Sequence, residues 1–168
     1  MYSIAATYFE PSKIIAFEID DGALQVAKEN LEFFELEQEQ VELIKMDILS
    51  IEQEEGKAED ERSEAGKYLN YFDTIVMNPP FGTKNNEGID MKLLKAASKC
   101  LKPGVGYLYS LHKASTMKYI EKYVKEELGD GYVCEMMSKI QFDLPNTYRF
   151  HKKKQAVTEV VLVRVGRN

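Results

Sequence analysis

Four consecutive residues, Asn78-Pro79-Pro80-Phe81, have the types and the order that could bind a planar amine. Pro80 restricts Pro79 to extended conformations, so the turn after the preceding strand candidate is rigid. Such a turn holds the Asn78 side-chain oxygen and the Pro79 carbonyl as two acceptors for an exocyclic amine, and Phe81 offers a ring for stacking. The alternative is a structural turn with a buried phenylalanine anchor. The asparagine before the prolines and the aromatic residue after them favour the binding site.

Acidic residues follow two earlier strand candidates. Glu18 follows residues 14–17, and Asp47 follows residues 41–46. Because the carboxyl ends of parallel strands meet at one edge of a sheet, these acids and Asn78 are expected at the same edge. A carboxylate there can accept both hydroxyls of a ribose, and the second acid with its neighbouring backbone can meet an adenine edge. Helix capping is the alternative for each acid alone.

The elements that must position these residues alternate between strands and helices. Asp20 or Asp21 can cap a first helix, Asp90 a second, and a third covers residues 119–128. The buried faces are expected to contain apolar residues at helical spacing: Leu24, Ala27, Leu31 and Phe34 in the first helix, and Met91, Leu94, Ala97 and Leu101 in the second. The strand candidates are residues 14–17, 41–46, 72–77, 105–111, 133–142 and 156–165. This alternation predicts one α/β domain over residues 1–168, with parallel strands and a closing antiparallel hairpin.

The C-terminal thirty residues differ in charge from the rest. Residues 139–168 hold seven Lys/Arg and two acids, although the chain has a net charge of −6. Phe142, Tyr148 and Phe150 interleave there with basic residues, an arrangement that suits splayed bases and phosphates. The alternative is a solvated basic hairpin with aromatic residues in the core. Residues 52–67 hold seven acids and three bases, which predicts a flexible surface insertion or a loosely held helix.

Composition excludes several classes of protein. The chain has 168 residues, 44% of them hydrophobic, which is enough for one core. No apolar run is long enough to span a membrane, and the N-terminus lacks the pattern of a secretory signal. Cys100 and Cys134 are far apart, and His112 and His151 have no companions at ligand spacing. We therefore expect no disulfide framework, no metal site and a reducing compartment.

Several segments together resemble one family. Residues 72–84 are similar to the catalytic segment of amino-methyltransferases, whose signature is Asp/Asn/Ser-Pro-Pro-Tyr/Phe. The match continues through residues 85–86, 109–113, 142–145 and 150–154, and it resembles the methyltransferase-like protein 5 family in particular. That family methylates N6 of adenine in small-subunit ribosomal RNA. The resemblance implies a Rossmann-like class I methyltransferase sheet and S-adenosylmethionine as cofactor.

The resemblance also assigns roles to residues. It implies that the cofactor ribose is held by Glu18, its adenine by Asp47 and Ile48, and that Met1 and Asn78 line the same site. The implied catalytic residues are Asn78, Pro79, Pro80 and Phe81. The RNA-binding candidates, from the basic segment, are Lys139, Tyr148, Arg149, Phe150, Lys152, Lys153 and Lys154. Family members work with a small zinc-binding activator subunit, which implies a heterodimer. Nuclear or nucleolar and cytoplasmic location is expected, without a membrane.

Direct transfer to adenine N6 is the mechanism that fits these residues. The lone pair of that amine is delocalised into the ring, and hydrogen bonds to Asn78 and the Pro79 carbonyl would localise it. Positioning and electrostatics would then supply most of the catalysis, and no general base is evident. The target adenine must leave its stack to reach Phe81.

One family feature has no counterpart in the sequence. Proteins of this class carry an Asp-x-Gly-x-Gly-x-Gly loop after their first strand, and no such cluster of glycines occurs in the 168 residues. We therefore expect a chain that lacks the first strand and this loop, with weakened or lost cofactor binding. Two other functions stay open on the sequence. One is a non-catalytic remnant that keeps RNA or partner contacts, and the other is methylation of a protein glutamine amide.

Overall fold

The computed structural model describes residues 1–80, 87–144 and 156–168. The chain divides into two compact units, residues 1–50 and residues 51–168. The prediction of a single domain over residues 1–168 stays a prediction. Among the described residues, no helix has the length and apolar character needed to cross a bilayer.

Residues 1–50 contain two helices and two parallel strands. The elements are α1 (Tyr2–Thr7), β1 (Ile14–Glu18), α2 (Asp21–Phe33) and β2 (Val41–Lys45). Each strand residue pairs in register, from Ile14 with Val41 to Glu18 with Lys45. The Asp20 carboxylate accepts a hydrogen bond of 2.8 Å from the Ala23 amide and so caps α2. The predicted strands and the predicted cap are confirmed, whereas the short helix α1 was not predicted.

The core of this first unit is small. Its buried residues are Ile4 of α1, Leu31 of α2 and Val41 of β2. Leu24 of the predicted helical face is also buried, but Phe34 is 46% exposed because α2 ends at the preceding residue. The apolar spacing therefore located the helix correctly and extended its buried face one turn too far.

Residues 51–168 form a four-stranded mixed sheet with helices. The elements are β3 (Thr74–Met77), α3 (Ile89–Lys99), β4 (Tyr107–Lys113), α4 (Met117–Tyr123), β5 (Tyr132–Leu144) and β6 (Ala156–Arg167). The strand order is β3-β4-β6-β5. β3 and β4 are parallel, whereas β6 runs antiparallel to both β4 and β5. The predicted closing hairpin is confirmed, and α4 continues as one π-helical turn over Val124–Leu128.

The core of the second unit lies between α3, α4 and the sheet. All four residues of the predicted α3 face are buried, and they pack with apolar residues of the strands and of α4: Leu108, Ile120, Val124, Val161, Val163 and Val165. The prediction that Asp90 caps α3 is wrong. Gly88 occupies the cap position with φ of 76°, a left-handed conformation that suits glycine, and Asp90 lies inside the first turn.

The acidic segment 52–67 was predicted to be a flexible surface insertion or a loosely held helix, and its flexibility stays a prediction. Three short 3₁₀ helices cover most of this segment and extend slightly beyond it: Ile48–Glu54, Glu59–Glu61 and Glu64–Tyr68. The Glu54 carboxylate is 3% exposed. It accepts hydrogen bonds from the Ser63 amide at 2.8 Å and from Lys57 Nζ at 2.9 Å. These bonds hold the pKa of Glu54 below its ordinary value, and the bond from Lys57 has the largest effect. A buried carboxylate therefore organises a segment whose composition predicted flexibility.

Candidate active site

An open cleft of about 420 Å³ lies in the first unit. It is bordered by α1, β1, α2 and β2, and its lining is mostly apolar. Met1 and Glu18, both predicted cofactor residues, line this cleft together with Phe17 and Leu43. A volume of roughly 300–1,000 Å³ with apolar walls and a few polar groups is typical of small-molecule sites. The volume of the open cleft falls within this range, and Glu18 contributes a carboxylate to its lining.

Glu18 is held in place by its own backbone. Its Oε1 atom accepts hydrogen bonds from the amides of Ile19 at 2.8 Å and Asp20 at 3.0 Å. Both donors are within two residues, so the carboxylate is fixed at the carboxyl end of β1 by local geometry. An ionised carboxylate has about four acceptor positions, two of which these amides use. This arrangement suits a carboxylate that also accepts the hydroxyls of a ribose.

Asp47 and Ile48 follow the end of the neighbouring strand. The two strand ends are joined because the Met46 amide donates to the Glu18 carbonyl at 3.0 Å. Asp47 Oδ1 accepts a hydrogen bond of 3.0 Å from the Leu49 amide, and this starts the turn in which Ile48 begins the first 3₁₀ helix. Met1 and Glu18 thus share one cleft, whereas Asp47 and Ile48 lie beyond the adjacent strand and do not belong to its lining.

The Asn-Pro-Pro turn belongs to the second unit. Asn78 follows the last residue of β3, where Met77 pairs with Ser110 of the parallel strand β4. Asn78 and Pro80 are exposed, and Pro79 between them is buried. An anchored proline between two exposed residues presents the asparagine amide to solvent on a rigid backbone. Phe81 lies outside the described residues, so its stacking role stays a prediction.

Sequence reasoning missed two buried polar residues beside this turn. Ser110 and His112 on β4 are each fully buried, and the Ser110 hydroxyl lies 2.8 Å from His112 Nε2. His112 Nδ1 lies 3.5 Å from a carboxylate oxygen of Asp90. The signal that could have found them is alternation, because Ser110 and His112 share the face of β4 that carries the buried Leu108.

Of the predicted RNA-binding residues, Lys139 alone belongs to the described part of the chain. It is exposed on β5, and its Nζ lies 2.8 Å from a carboxylate oxygen of Glu159 on the neighbouring strand β6. The other six RNA-binding candidates lie between residues 145 and 155, outside the described residues: Tyr148, Arg149, Phe150, Lys152, Lys153 and Lys154. Across the described ranges, no group of three or more His, Cys, Asp or Glu side chains is placed to bind a metal ion.

Comparison with known structures shows the fold. A Pyrococcus horikoshii protein described as a candidate RNA methyltransferase has a TM-score of 0.62 at 24% identity, covering 93% of this chain and 64% of that chain. A Thermoplasma acidophilum protein has a TM-score of 0.57 at 22% identity, covering 93% of this chain and 67% of that chain. The fold is that of class I methyltransferases, as the sequence predicted.

Comparison of sequences shows the family. The profile of the methyltransferase small domain matches residues 2–141. The rRNA N(6)-adenosine-methyltransferase metl-5 of Caenorhabditis elegans is 38% identical over 97% of this chain and 69% of its own length. The rRNA N(6)-adenosine-methyltransferase METTL5 of Danio rerio is 36% identical over 96% of this chain and 68% of its own length. The chain therefore belongs to the methyltransferase-like protein 5 family, within the small-domain methyltransferases.

Proposed function

We propose that this chain transfers a methyl group from S-adenosylmethionine to N6 of an adenosine in ribosomal RNA, and more narrowly in small-subunit rRNA. The observation that carries the proposal is the Asn78-Pro79-Pro80 turn at the carboxyl end of β3. Two relatives at 38% and 36% identity are named as enzymes of this activity, which supports the substrate class.

The cofactor side of the proposal rests on the cleft in residues 1–50. When bound, S-adenosylmethionine supplies an electrophilic methyl group. Glu18 would accept the ribose hydroxyls, since its carboxylate is already oriented by two amide hydrogen bonds. Met1, Phe17 and Leu43 would cover apolar parts of the nucleoside. The role of Asp47 and Ile48 beside the adenine edge rests on the family resemblance alone, because neither residue lines the cleft.

The acceptor side rests on hydrogen-bond geometry rather than on a nucleophilic side chain. The Asn78 carbonyl oxygen and the Pro79 backbone carbonyl can each accept one N–H of the adenine amine. These bonds localise the nitrogen lone pair and orient it, and acceptors fixed before the reaction avoid the reorganisation that water would require. The role of Phe81 as the stacking ring completes the proposed pocket.

The partner and the location are further parts of the proposal. A zinc-binding activator subunit would form a heterodimer with the chain, and the nucleus or nucleolus and the cytoplasm are the proposed compartments. The family resemblance supports both. Purification of the protein from cells, followed by identification of a stoichiometric small zinc-binding subunit, tests the partner. Imaging of a tagged protein tests the location.

Two substitutions at one position test the reaction. Asn78→Ala removes an acceptor and should lower the methylation rate by about 100-fold or more, whereas Asn78→Asp keeps an acceptor that the family signature allows. The measurement is transfer of labelled methyl groups to rRNA and to protein substrates, with mass analysis of the nucleosides. Label in a protein glutamine amide instead of N6-methyladenosine, or full activity of Asn78→Ala, would overturn the proposal.

A further inference from the structure

A chain of three polar side chains lies within the second unit, next to the strand end that carries Asn78. Ser110 and His112 are fully buried on β4 and lie 2.8 Å apart, hydroxyl oxygen to Nε2. On the other side of the ring, Nδ1 lies 3.5 Å from a carboxylate oxygen of Asp90, whose side chain is 16% exposed. The Ser110–His112 hydrogen bond offsets part of the free-energy cost of burying these polar groups, whereas His112 Nδ1 is buried beside Asp90 without a hydrogen bond among the described residues.

The direction of each hydrogen bond among Asp90, His112 and Ser110 follows from which atoms can donate and which can accept. An ionised carboxylate only accepts hydrogen bonds, so we assign the ring proton of His112 to Nδ1, which faces Asp90 at 3.5 Å. Nε2 is then an acceptor, and the Ser110 hydroxyl donates to it. Burial lowers the pKa of His112 although the nearby Asp90 carboxylate opposes this shift. The ring is therefore neutral near neutral pH, as this order of donors and acceptors requires.

The contact between His112 and Asp90 is slightly too long for a hydrogen bond. Within the described part of the chain, Nδ1 has no hydrogen-bond partner, and 3.5 Å exceeds the roughly 3 Å of a good N–H···O bond. Asp90 lies in the first turn of α3. A shift of that turn towards β4 by about 0.5 Å would bring the Asp90 carboxylate within hydrogen-bond distance of His112 Nδ1.

The three polar side chains lie close to the Asn-Pro-Pro turn. Met77 pairs with Ser110 in the β3–β4 ladder, and Asn78 is the next residue. His112 lies two residues further along β4 and faces Asp90 at the start of α3. The same part of β4 therefore makes two contacts. The backbone of Ser110 pairs with Met77, the residue before Asn78, and the side chain of His112 faces the first turn of α3.

We infer that Asp90, His112 and Ser110 form a positioning relay that fixes the carboxyl end of β3, and with it Asn78, relative to the start of α3. The inference rests on the proposed function, because Asn78 is the group that it positions. None of the three touches the reacting atoms, so they are positioning residues. Misplacement of a reacting group by about 1 Å can cost about 100-fold in rate, so a relay remote from the chemistry has a measurable effect.

A matched pair of serine substitutions tests the relay in the whole protein, together with the proposed activating subunit, in an assay on rRNA. Ser110→Ala removes the relay hydroxyl. Ser98→Ala removes an equally buried hydroxyl on α3 that has no hydrogen-bond partner among the described residues. We expect Ser110→Ala to lower kcat about tenfold while KM for RNA and Kd for S-adenosylmethionine change less than about twofold. Ser98→Ala should leave kcat within about twofold of the wild type, by the same reasoning.

A second pair keeps the test decisive if Ser110→Ala fails to fold. Asp90→Asn retains an acceptor for His112 Nδ1–H, and Asp90→Ala does not. We expect Asp90→Asn to keep kcat within about threefold of the wild type and Asp90→Ala to lower it about tenfold. Melting temperatures of all variants are measured alongside. Equal kcat for the two serine variants, or for the two Asp90 variants, would overturn the relay.

The wild-type protein separates the two proposals. If it methylates rRNA and the relay variants match their controls, the relay fails and the proposed function stands. If it methylates no RNA at all, the proposed function fails and the relay fails with it.

Discussion

The proposed cofactor side in residues 1–50 and the proposed acceptor side in residues 51–168 are built from contacts of different range. Glu18 and Asp47 are held by amides one or two residues away. On the proposed acceptor side, Ser110 and His112 of β4 are joined by a hydrogen bond, and His112 faces Asp90 of α3. The C-terminal strand is also fixed by a remote contact, because Arg167 donates to the Leu101 carbonyl, 66 residues earlier, at 2.9 Å.

The difference shows which parts of the site depend on the rest of the fold. A carboxylate that folds back onto its own backbone keeps its orientation wherever a strand ends in this way. A buried chain of polar groups keeps its orientation only when the elements that carry it pack correctly. We therefore expect substitutions on the cofactor side to change ligand binding with little change in stability. On the acceptor side, stability and activity are expected to change together more often.

The largest effect on ligand binding is expected for Glu18→Ala. A hydrogen bond to a charged group contributes roughly 1.5–3 kcal/mol, which corresponds to a rise in Kd of about 10- to 100-fold. The melting temperature should change little, because the lost protein contacts are local. Calorimetric titration with S-adenosylmethionine measures the Kd.

Glu42→Ala is the matched control for that titration. Glu42 lies on the adjacent strand β2, pairs with Lys13 at the surface, and does not belong to the lining of the cleft. It should leave Kd within about twofold, since exposed ion pairs contribute little. An equal loss of affinity in both variants would show that the cleft is not the cofactor site.

An intermediate effect is expected for Gly66→Ala on the stability of the second unit. A Cβ atom on Gly66 would lie 2.6 Å from the Arg62 Cβ and 2.9 Å from a carboxylate oxygen of the buried Glu54. Overpacking of this kind costs roughly 1–3 kcal/mol. Chemical denaturation measures the loss. Gly131→Ala is the control, because no atom lies within 4 Å of its added Cβ, and a similar loss there would contradict the packing argument.

The smallest effect is expected for Lys139→Ala. Its ion pair with Glu159 is exposed, so the free energy of unfolding should change by less than about 1 kcal/mol. If Lys139 contacts a phosphate, the slope of log affinity for RNA against log salt should fall by about one. Lys122→Ala is the control, because it breaks a surface pair between Lys122 of α4 and Glu126 of the following π-helical turn. Identical salt slopes for both variants would remove Lys139 from the RNA-binding surface.

The sequence predicted the elements well and their contacts less well. The strands, the Asp20 cap and the buried face of α3 follow from periodicity and capping, which are local properties. The Asp90 cap was predicted wrongly because Gly88, with its left-handed backbone, competes for the same position. The three short 3₁₀ helices within residues 48–68 were not predicted, because composition shows seven acids in residues 52–67 but not the burial of Glu54.

By itself, the sequence determined which polar groups are available: a rigid Asn-Pro-Pro turn after β3, an acid at the end of β1 and an acid after β2. These features depend on residue type and on neighbours in the sequence, so they can be predicted from the sequence alone. Only the tertiary structure decided that Ser110, His112 and Asp90 meet beside that turn. The physical reason is that α3 must pack on β4 before the histidine and the carboxylate can approach, and no local pattern specifies that distance.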